Sequence, residues 1–354
     1  MKKIINFRFS FMCLGPVGNY LEVMSWNGVK DLKDMSDGSD KKPTTILLHM
    51  GIHKTGSTSL QKTFAAHRAA LARDDIVFLG PGQPYSCLYS GFLSDPMTFF
   101  WNRISTLSES AIRERDEAEL AALNQALIRH RGQTIILSNE YLPMLSPPEM
   151  TRLRDFLAAH GEVRAVYYYR ELHSWMTSNS QEMAKSTATQ PSPFRQALKR
   201  VHTLPLRVAN VFGPANTTFI KFEDAVKCGI CDAFLTSFDL PSLRERGLDE
   251  IKANVAISGT AVRALYAYNR DHPAGSATRD RAEVERLKAL PGEKYQLGGF
   301  DPYDINIYAS ARQEVQTQLG LSLAAPNTLP VLELPVHIRL RRLAGRVKRY
   351  LLAR

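Results

Sequence analysis

The chain lacks any apolar run that approaches the ~18 uninterrupted residues of a membrane span. It is also poor in cysteine: Cys13, Cys87, Cys228 and Cys231 are the only 4 among 354 residues, too scattered for a disulfide framework. Cys228-Gly-Ile-Cys231 has redox or half-metal-site spacing, but no second such pair or histidine pair completes a zinc site. The expectation is two thiols near a helix start and no bound metal. A clean signal peptide is missing too. Lys2 and Lys3 precede a partly apolar stretch, yet Asn6 and Arg8 interrupt it and no small-residue cleavage site follows. A cytoplasmic, reducing location is therefore expected. Internal repeats are absent.

What is present describes a globular protein: 44% hydrophobic and 9% aromatic residues. The formal net charge of +10 suits an anionic ligand, whether nucleic acid, an acidic membrane surface or a polyphosphate cofactor. Residues 1–43 are expected to form a mobile leader, with Met35 as an alternative start, because the first convincing strand follows Pro43.

Beyond Pro43, apolar runs alternate with turns and helical periodicity. Strands are expected at Thr45–Met50, Asp75–Leu79, Thr134–Ser138, Val163–Tyr169 and Thr217–Phe222. Helices are expected at Thr58–Leu71, Ser108–Arg131, Pro147–His160, His173–Lys185 and Phe194–Val211. Leu120, Leu123, Leu127 and Ile128 should form the core face of the second helix. Residues 80–104 have no clean period and read as an insertion. The alternation predicts an α/β fold with a mostly parallel sheet covered on both faces, giving three layers, and a helical or irregular C-terminal region from about 224. Ligands of such sheets bind beyond the carboxyl ends of the strands, which points to the loops after Met50, Ser138 and Tyr169.

The first of these loops, Gly51-Ile-His-Lys-Thr-Gly56-Ser-Thr58, sits between strand and helix, the context of a phosphate loop. Two glycines let backbone N–H groups turn inward, and the helix start adds unpaired donors. Ser57 occupies the lysine position of the nucleotide triphosphatase pattern, and Lys54 lies within the loop instead. The third expected strand ends Leu137-Ser138-Asn139-Glu140, without the immediate Asp that would help hold Mg²⁺. For a transferred group with fewer negative oxygens than a phosphoryl group, one lysine and backbone donors could suffice without a metal.

His49-Met-Gly-Ile-His53-Lys54-Thr55-Gly56-Ser57-Thr58-Ser59-Leu60-Gln61 resembles the 5'-phosphosulfate loop of bacterial sulfotransferases, close to H-x-G-x-H-K-T-G-T-T-S-L-Q. The family's second signature is a strand ending in arginine with a serine eight residues later. Val166-Tyr-Tyr-Tyr-Arg170 and Ser178 match it. Thr218-Phe-Ile-Lys-Phe-Glu223-Asp, Asn254 and Ser258 resemble later segments, while the glycine-rich lid of the cytosolic animal enzymes is not found. The resemblance covers roughly residues 44–260, weakly beyond the two signatures. It implies a P-loop-type domain over 44–330 that uses 3'-phosphoadenosine 5'-phosphosulfate as donor. Lys54 would stabilise the leaving group. Thr55, Gly56, Ser57, Thr58 and, with lower rank, Ser59 would hold the phosphosulfate, and Arg170 with Ser178 the 3'-phosphate.

The acceptor must lose a proton, and Glu140 is the first candidate base, with His53 second. Both have ordinary alternatives: Glu140 as a structural carboxylate, His53 as a loop cap. Tyr85, Tyr89, Phe92, Phe99, Phe100 and Trp101 either stack on acceptor sugars or pack the insertion. Residues 337–354 carry 7 Arg and Lys and no acid. With Val336, Leu340, Leu343, Val347 and Leu351 at helical spacing, the tail from 331 is expected to form a basic amphipathic helix. It packs on the domain or docks on an anionic membrane at its inner face. A carbohydrate or glycolipid acceptor is the expected partner. Two rivals stand: a P-loop kinase or other nucleotide-binding protein using ATP, and a non-catalytic polyanion-binding protein. No recognised nucleic-acid motif is present, so no nucleic-acid partner is expected.

Overall fold

The computed structural model describes residues 42–80, 87–253, 256–273 and 275–332. Most of the expected leader, Cys13, Tyr85, Asn254 and the 336–354 helix lie outside them.

Five strands form one sheet: β1 (Thr45–His49), β2 (Ile76–Leu79), β3 (Thr134–Ser138), β4 (Glu162–Tyr169) and β5 (Thr217–Lys221). Every pairing is parallel and the spatial order is β2-β3-β1-β4-β5. Alternate side chains enter opposite cores, as a two-sided sheet requires. Ile46, Leu48, Ile135, Leu137, Ala165 and Tyr167 face one apolar cluster. Leu47, Ile76, Phe78, Ile136, Val166 and Tyr168 face the other.

Helices fill both layers. Helix α1 (Ser57–Ala66) places Leu60 and Phe64 in the second cluster. On the opposite face lie α2 (Glu109–Arg129), α3 (Pro147–Ala158), α4 (Leu172–Ser186) and α5 (Leu204–Phe212). Phe234 of α6 (Ile230–Thr236) joins the α1 side, and α7 (Gly259–Asp271) packs on Ala184 of α4 in a third cluster. Helix α8 (Pro302–Leu319) sends Tyr308 and Val315 into the first cluster. The chain thus leaves β1 toward one face and leaves β3 and β4 toward the other. Open α/β sheets bind ligands where such departures diverge, which here lies beyond the end of β1.

Several local expectations need correction. The first helix starts at Ser57 and stops at Ala66, with a break at His67 before a short turn Arg68–Leu71. Ile128 lies on the exposed side of α2, and Ala126 takes its expected place in the core. The helix expected over Phe194–Val211 is interrupted by a π-type turn at Lys199–Thr203. Pro205 follows directly at the start of α5, where its missing N–H and its ring disfavour a continuous i→i−4 ladder. Within the expected insertion, the described residues from 87 on form short helical turns, Cys87–Ser90, Pro96–Thr98 and Phe100–Ile104, with Phe92 and Leu93 anchored in the core. No helix among the described residues is long and apolar enough to cross a membrane.

β4 starts against the segment leading into β1, where Glu162 N–H donates to the Thr44 carbonyl at 2.9 Å. A Cβ on Gly161 would come within 2.3 Å of that same oxygen. Gly161→Ala should therefore destabilise the fold by about 1–3 kcal/mol. An unchanged midpoint in urea denaturation would contradict this close approach.

Candidate functional site

His49 and Ser138 are direct neighbours in the β1–β3 register and point toward α1. Their Nδ1 and Oγ atoms lie 2.8 Å apart, and Gln61 of α1 donates to the same hydroxyl at 3.1 Å. His49 is fully buried, edge-on to Tyr168 at 5.3 Å, and its Nε2 has no partner. Burial, only partly opposed by the charge of Glu140, lowers its pKa from 6.5 to about 4, so the ring is neutral at the root of the loop.

The loop turns on two left-handed residues, Lys54 at φ 71° and Gly56 at φ 84°. Glycine takes that conformation freely, whereas a lysine does so only when its surroundings impose it. The Thr55 hydroxyl donates to the Ile52 carbonyl at 2.6 Å, closing the turn beneath Lys54. Gly56 is the N-cap of α1, and no side chain caps the first turn of that helix. Ser57 is buried with an unpartnered Oγ, and Thr58 is half-buried. Ser59 is engaged elsewhere: its Oγ accepts from Ala253 N–H at 3.0 Å and ties the loop to the later chain.

Arg170, one residue beyond β4, reaches back to this loop. Its Nη1 donates to the Lys54 carbonyl and its Nε to Ser174 Oγ at 2.9 Å. The guanidinium lies over the Phe222 ring, 4.3 Å from the centroid, and 3.8 Å from Glu223 Oε1. Burial draws its pKa down from 12.5 to about 10, against the pull of Glu223, so it remains a cation at neutral pH. Trp175 of α4 adds a second tie, donating Nε1–H to the His53 carbonyl at 2.8 Å.

The two candidate bases meet. His53 Nδ1 lies 3.0 Å from Glu140 Oε1. Burial works to raise the Glu140 pKa, but the hydrogen bond and charge of His53, with the charge of Lys54, outweigh it and hold the carboxyl below its ordinary value. Tyr141 presses edge-on against His53 at 4.6 Å and accepts from Trp101 Nε1–H at 2.8 Å. Tyr89, Phe99 and Tyr141 pack together with centroids 4.9 to 5.5 Å apart. Phe100 and Trp101, 51% and 40% exposed, are left at the surface beside them.

Ser178 is half-buried on α4, one turn beyond Ser174. Ser174, rather than Ser178, is the serine that Arg170 engages. One turn further, Glu182 takes the Lys54 ammonium at 3.0 Å. Sequence reasoning missed Ser174 and Glu182, which lie with Ser178 at four-residue steps along one face of α4. Cys231 is buried and Cys228 exposed, and no group of three His, Cys, Asp or Glu suited to a metal occurs among the described residues.

The parallel sheet, the strand-to-helix loop at the end of its central strand and the two-faced helix layers define a P-loop-type α/β fold. No protein-family model and no curated protein matches the sequence. The chain is similar to the solved sulfotransferase domain of the olefin synthase of Synechococcus PCC 7002, at 14% identity and a TM-score of 0.33, over 71% of this chain and 97% of that one. It is similar to a sulfotransferase from Alicyclobacillus acidocaldarius at 11% identity and a TM-score of 0.39, over 79% and 98% of the two chains. A structure of the PezAT chromosomal toxin–antitoxin system of Streptococcus pneumoniae matches at 12% identity and a TM-score of 0.26, over 80% and 88%.

The buried neutral His49 sets a pH dependence of stability. A ring whose folded pKa is depressed contributes stability that is present above 6.5 and lost as pH falls toward 4. At about 1.4 kcal/mol per pH unit the loss is roughly 3 kcal/mol. His49→Asn, which keeps a polar group facing Ser138, should flatten the stability profile across that window. Parallel profiles for the two proteins would contradict the neutral ring.

Proposed function

We propose that the chain is a sulfotransferase. It would move a sulfuryl group from 3'-phosphoadenosine 5'-phosphosulfate to a hydroxyl or amine of an acceptor, with a carbohydrate or glycolipid as the expected class. One observation carries the reading: Lys54 and Arg170, far apart in sequence, are joined beyond the carboxyl ends of two neighbouring parallel strands. A lysine set in a phosphate loop and a strand-end guanidinium there suit the two phosphate-bearing ends of one nucleotide.

The residues fit such a donor. The uncapped first turn of α1 and the unpartnered Ser57 hydroxyl are hydrogen-bond donors without protein acceptors. They would hold the 5'-phosphosulfate with Thr55, Gly56 and Thr58, while Arg170 and Ser178 hold the 3'-phosphate. Lys54 would stabilise charge on the oxygen that leaves sulfur.

Proton removal from the acceptor falls to the His53–Glu140 pair. The lowered carboxyl pKa makes Glu140 a weak base by itself. Its contact with Nδ1 suits an orienting role, fixing the ring so that Nε2 can take the acceptor proton. Glu140 would then stabilise the imidazolium that forms. The aromatic wall of Tyr141 and Trp101 beside His53 supports a ring-bearing acceptor such as a sugar, since an aromatic face offers an apolar platform with a polar rim.

Calorimetric titration should find that adenosine 3',5'-bisphosphate binds without metal and ATP binds weakly with or without Mg²⁺. Glu140→Gln and His53→Asn should each lower sulfuryl transfer by about 10²-fold or more while leaving that binding intact. Magnesium-dependent ATP binding in place of the bisphosphate would favour a nucleotide-triphosphate enzyme. Undiminished transfer by His53→Asn would remove His53 from the proton-accepting role.

A further inference from the structure

The loop lysine is already occupied. Lys54 Nζ lies 3.0 Å from Glu182 Oε2, and the lysine side chain is only 17% exposed. Its backbone is held in a left-handed conformation while Arg170 binds its carbonyl. Main chain and ammonium are therefore fixed together, and the ammonium points to α4. The carboxylate is not dedicated to Lys54 alone. Lys185 Nζ stands 3.9 Å from the same Oε2, and the charge of Lys288 also bears on it. Burial would raise the Glu182 pKa, but Lys54 first and then these two lysines hold it below the ordinary value.

We propose that Glu182 is a positioning residue that secures the Lys54 ammonium while the loop is empty and yields it when a phosphate-bearing donor takes the carboxylate's place. The inference rests on the sulfuryl-transfer reading and deepens it. The exchange is physically reasonable because one anion replaces another at the same ammonium. Glu182 keeps a cation after the exchange, since Lys185 is within reach from one turn along α4. A carboxylate left beside an incoming phosphate would otherwise repel it. The pair is partly exposed, with Glu182 41% accessible, which limits the strength of its hold. A hold of that size can be displaced by a ligand yet still keeps Lys54 in one place beforehand.

The test is a double-mutant cycle read by titration with adenosine 3',5'-bisphosphate, whose 5'-phosphate is the group that would claim Lys54. Glu182→Gln keeps the size of the side chain and removes its charge. It should bind the bisphosphate about fivefold tighter than the wild type, the scale of a partly exposed ion pair. On a Lys54→Ala background the same substitution should change affinity less than twofold, because no ammonium is left to release. A merely structural role for Glu182 would not produce a gain that depends on Lys54. Equal or weaker binding by Glu182→Gln overturns the inference, as does an equal gain with and without Lys54. A wild-type protein that fails to bind the bisphosphate overturns the sulfuryl-transfer reading instead, and the two failures are distinct.

Discussion

The hydrogen bond from the Arg170 guanidinium to the Lys54 carbonyl holds the site together. It links the exit of β4 to the loop after β1, two neighbouring parallel strands whose helices leave on opposite faces of the sheet. Without it the left-handed Lys54 would lack its main restraint, and the loop could relax to a conformation that no longer opens toward α4. Arg170 can serve as the anchor because it is itself fixed. Phe222 supports its flat face, Ser174 accepts from Nε, and Glu223 balances its charge.

Around that anchor two half-buried cations each face a carboxylate, Lys54 with Glu182 and Arg170 with Glu223, and the His53 ring meets Glu140. Partly buried charges are costly unless paired, so these carboxylates stabilise the cations they face. The same pairs would set the chemistry of the proposed transfer. A nucleotide that carries phosphate at both ends would substitute for Glu182 and approach Arg170. The His53–Glu140 pair stands apart, next to the aromatic wall of Tyr141 and Trp101, where an acceptor would arrive. In the proposed transfer, donor and acceptor would then lie on either side of the short loop segment His53–Lys54.

The sheet was legible because its signal is local. Runs such as Thr134–Ser138 are β-branched, apolar and bounded by turns, and the strand found there has those same ends. The loop was legible because its two glycines, its lysine and the helix that follows are contiguous. Contacts across the fold were not. Nothing in the composition of α4 marks Glu182 as the Lys54 partner, since the pair forms only once β4 lies beside β1. The joining of His53 to Glu140 likewise depends on β1 and β3 being neighbours, with β2 displaced to the edge. Phe194–Phe212 is helical as expected, but the π-type turn inside it was not legible, because the apolar period continues through Pro205, where backbone sterics rather than hydropathy decide the geometry.

The central claim is that the loop and the strand-end arginine grip opposite ends of one nucleotide. A crystal structure of the protein with adenosine 3',5'-bisphosphate tests it most directly. The account predicts the 5'-phosphate on the backbone donors of residues 55–58 with Lys54 turned to it, and the 3'-phosphate on the Arg170 guanidinium. A nucleotide bound away from the loop, or seated there with Arg170 making no contact to either phosphate, would contradict it.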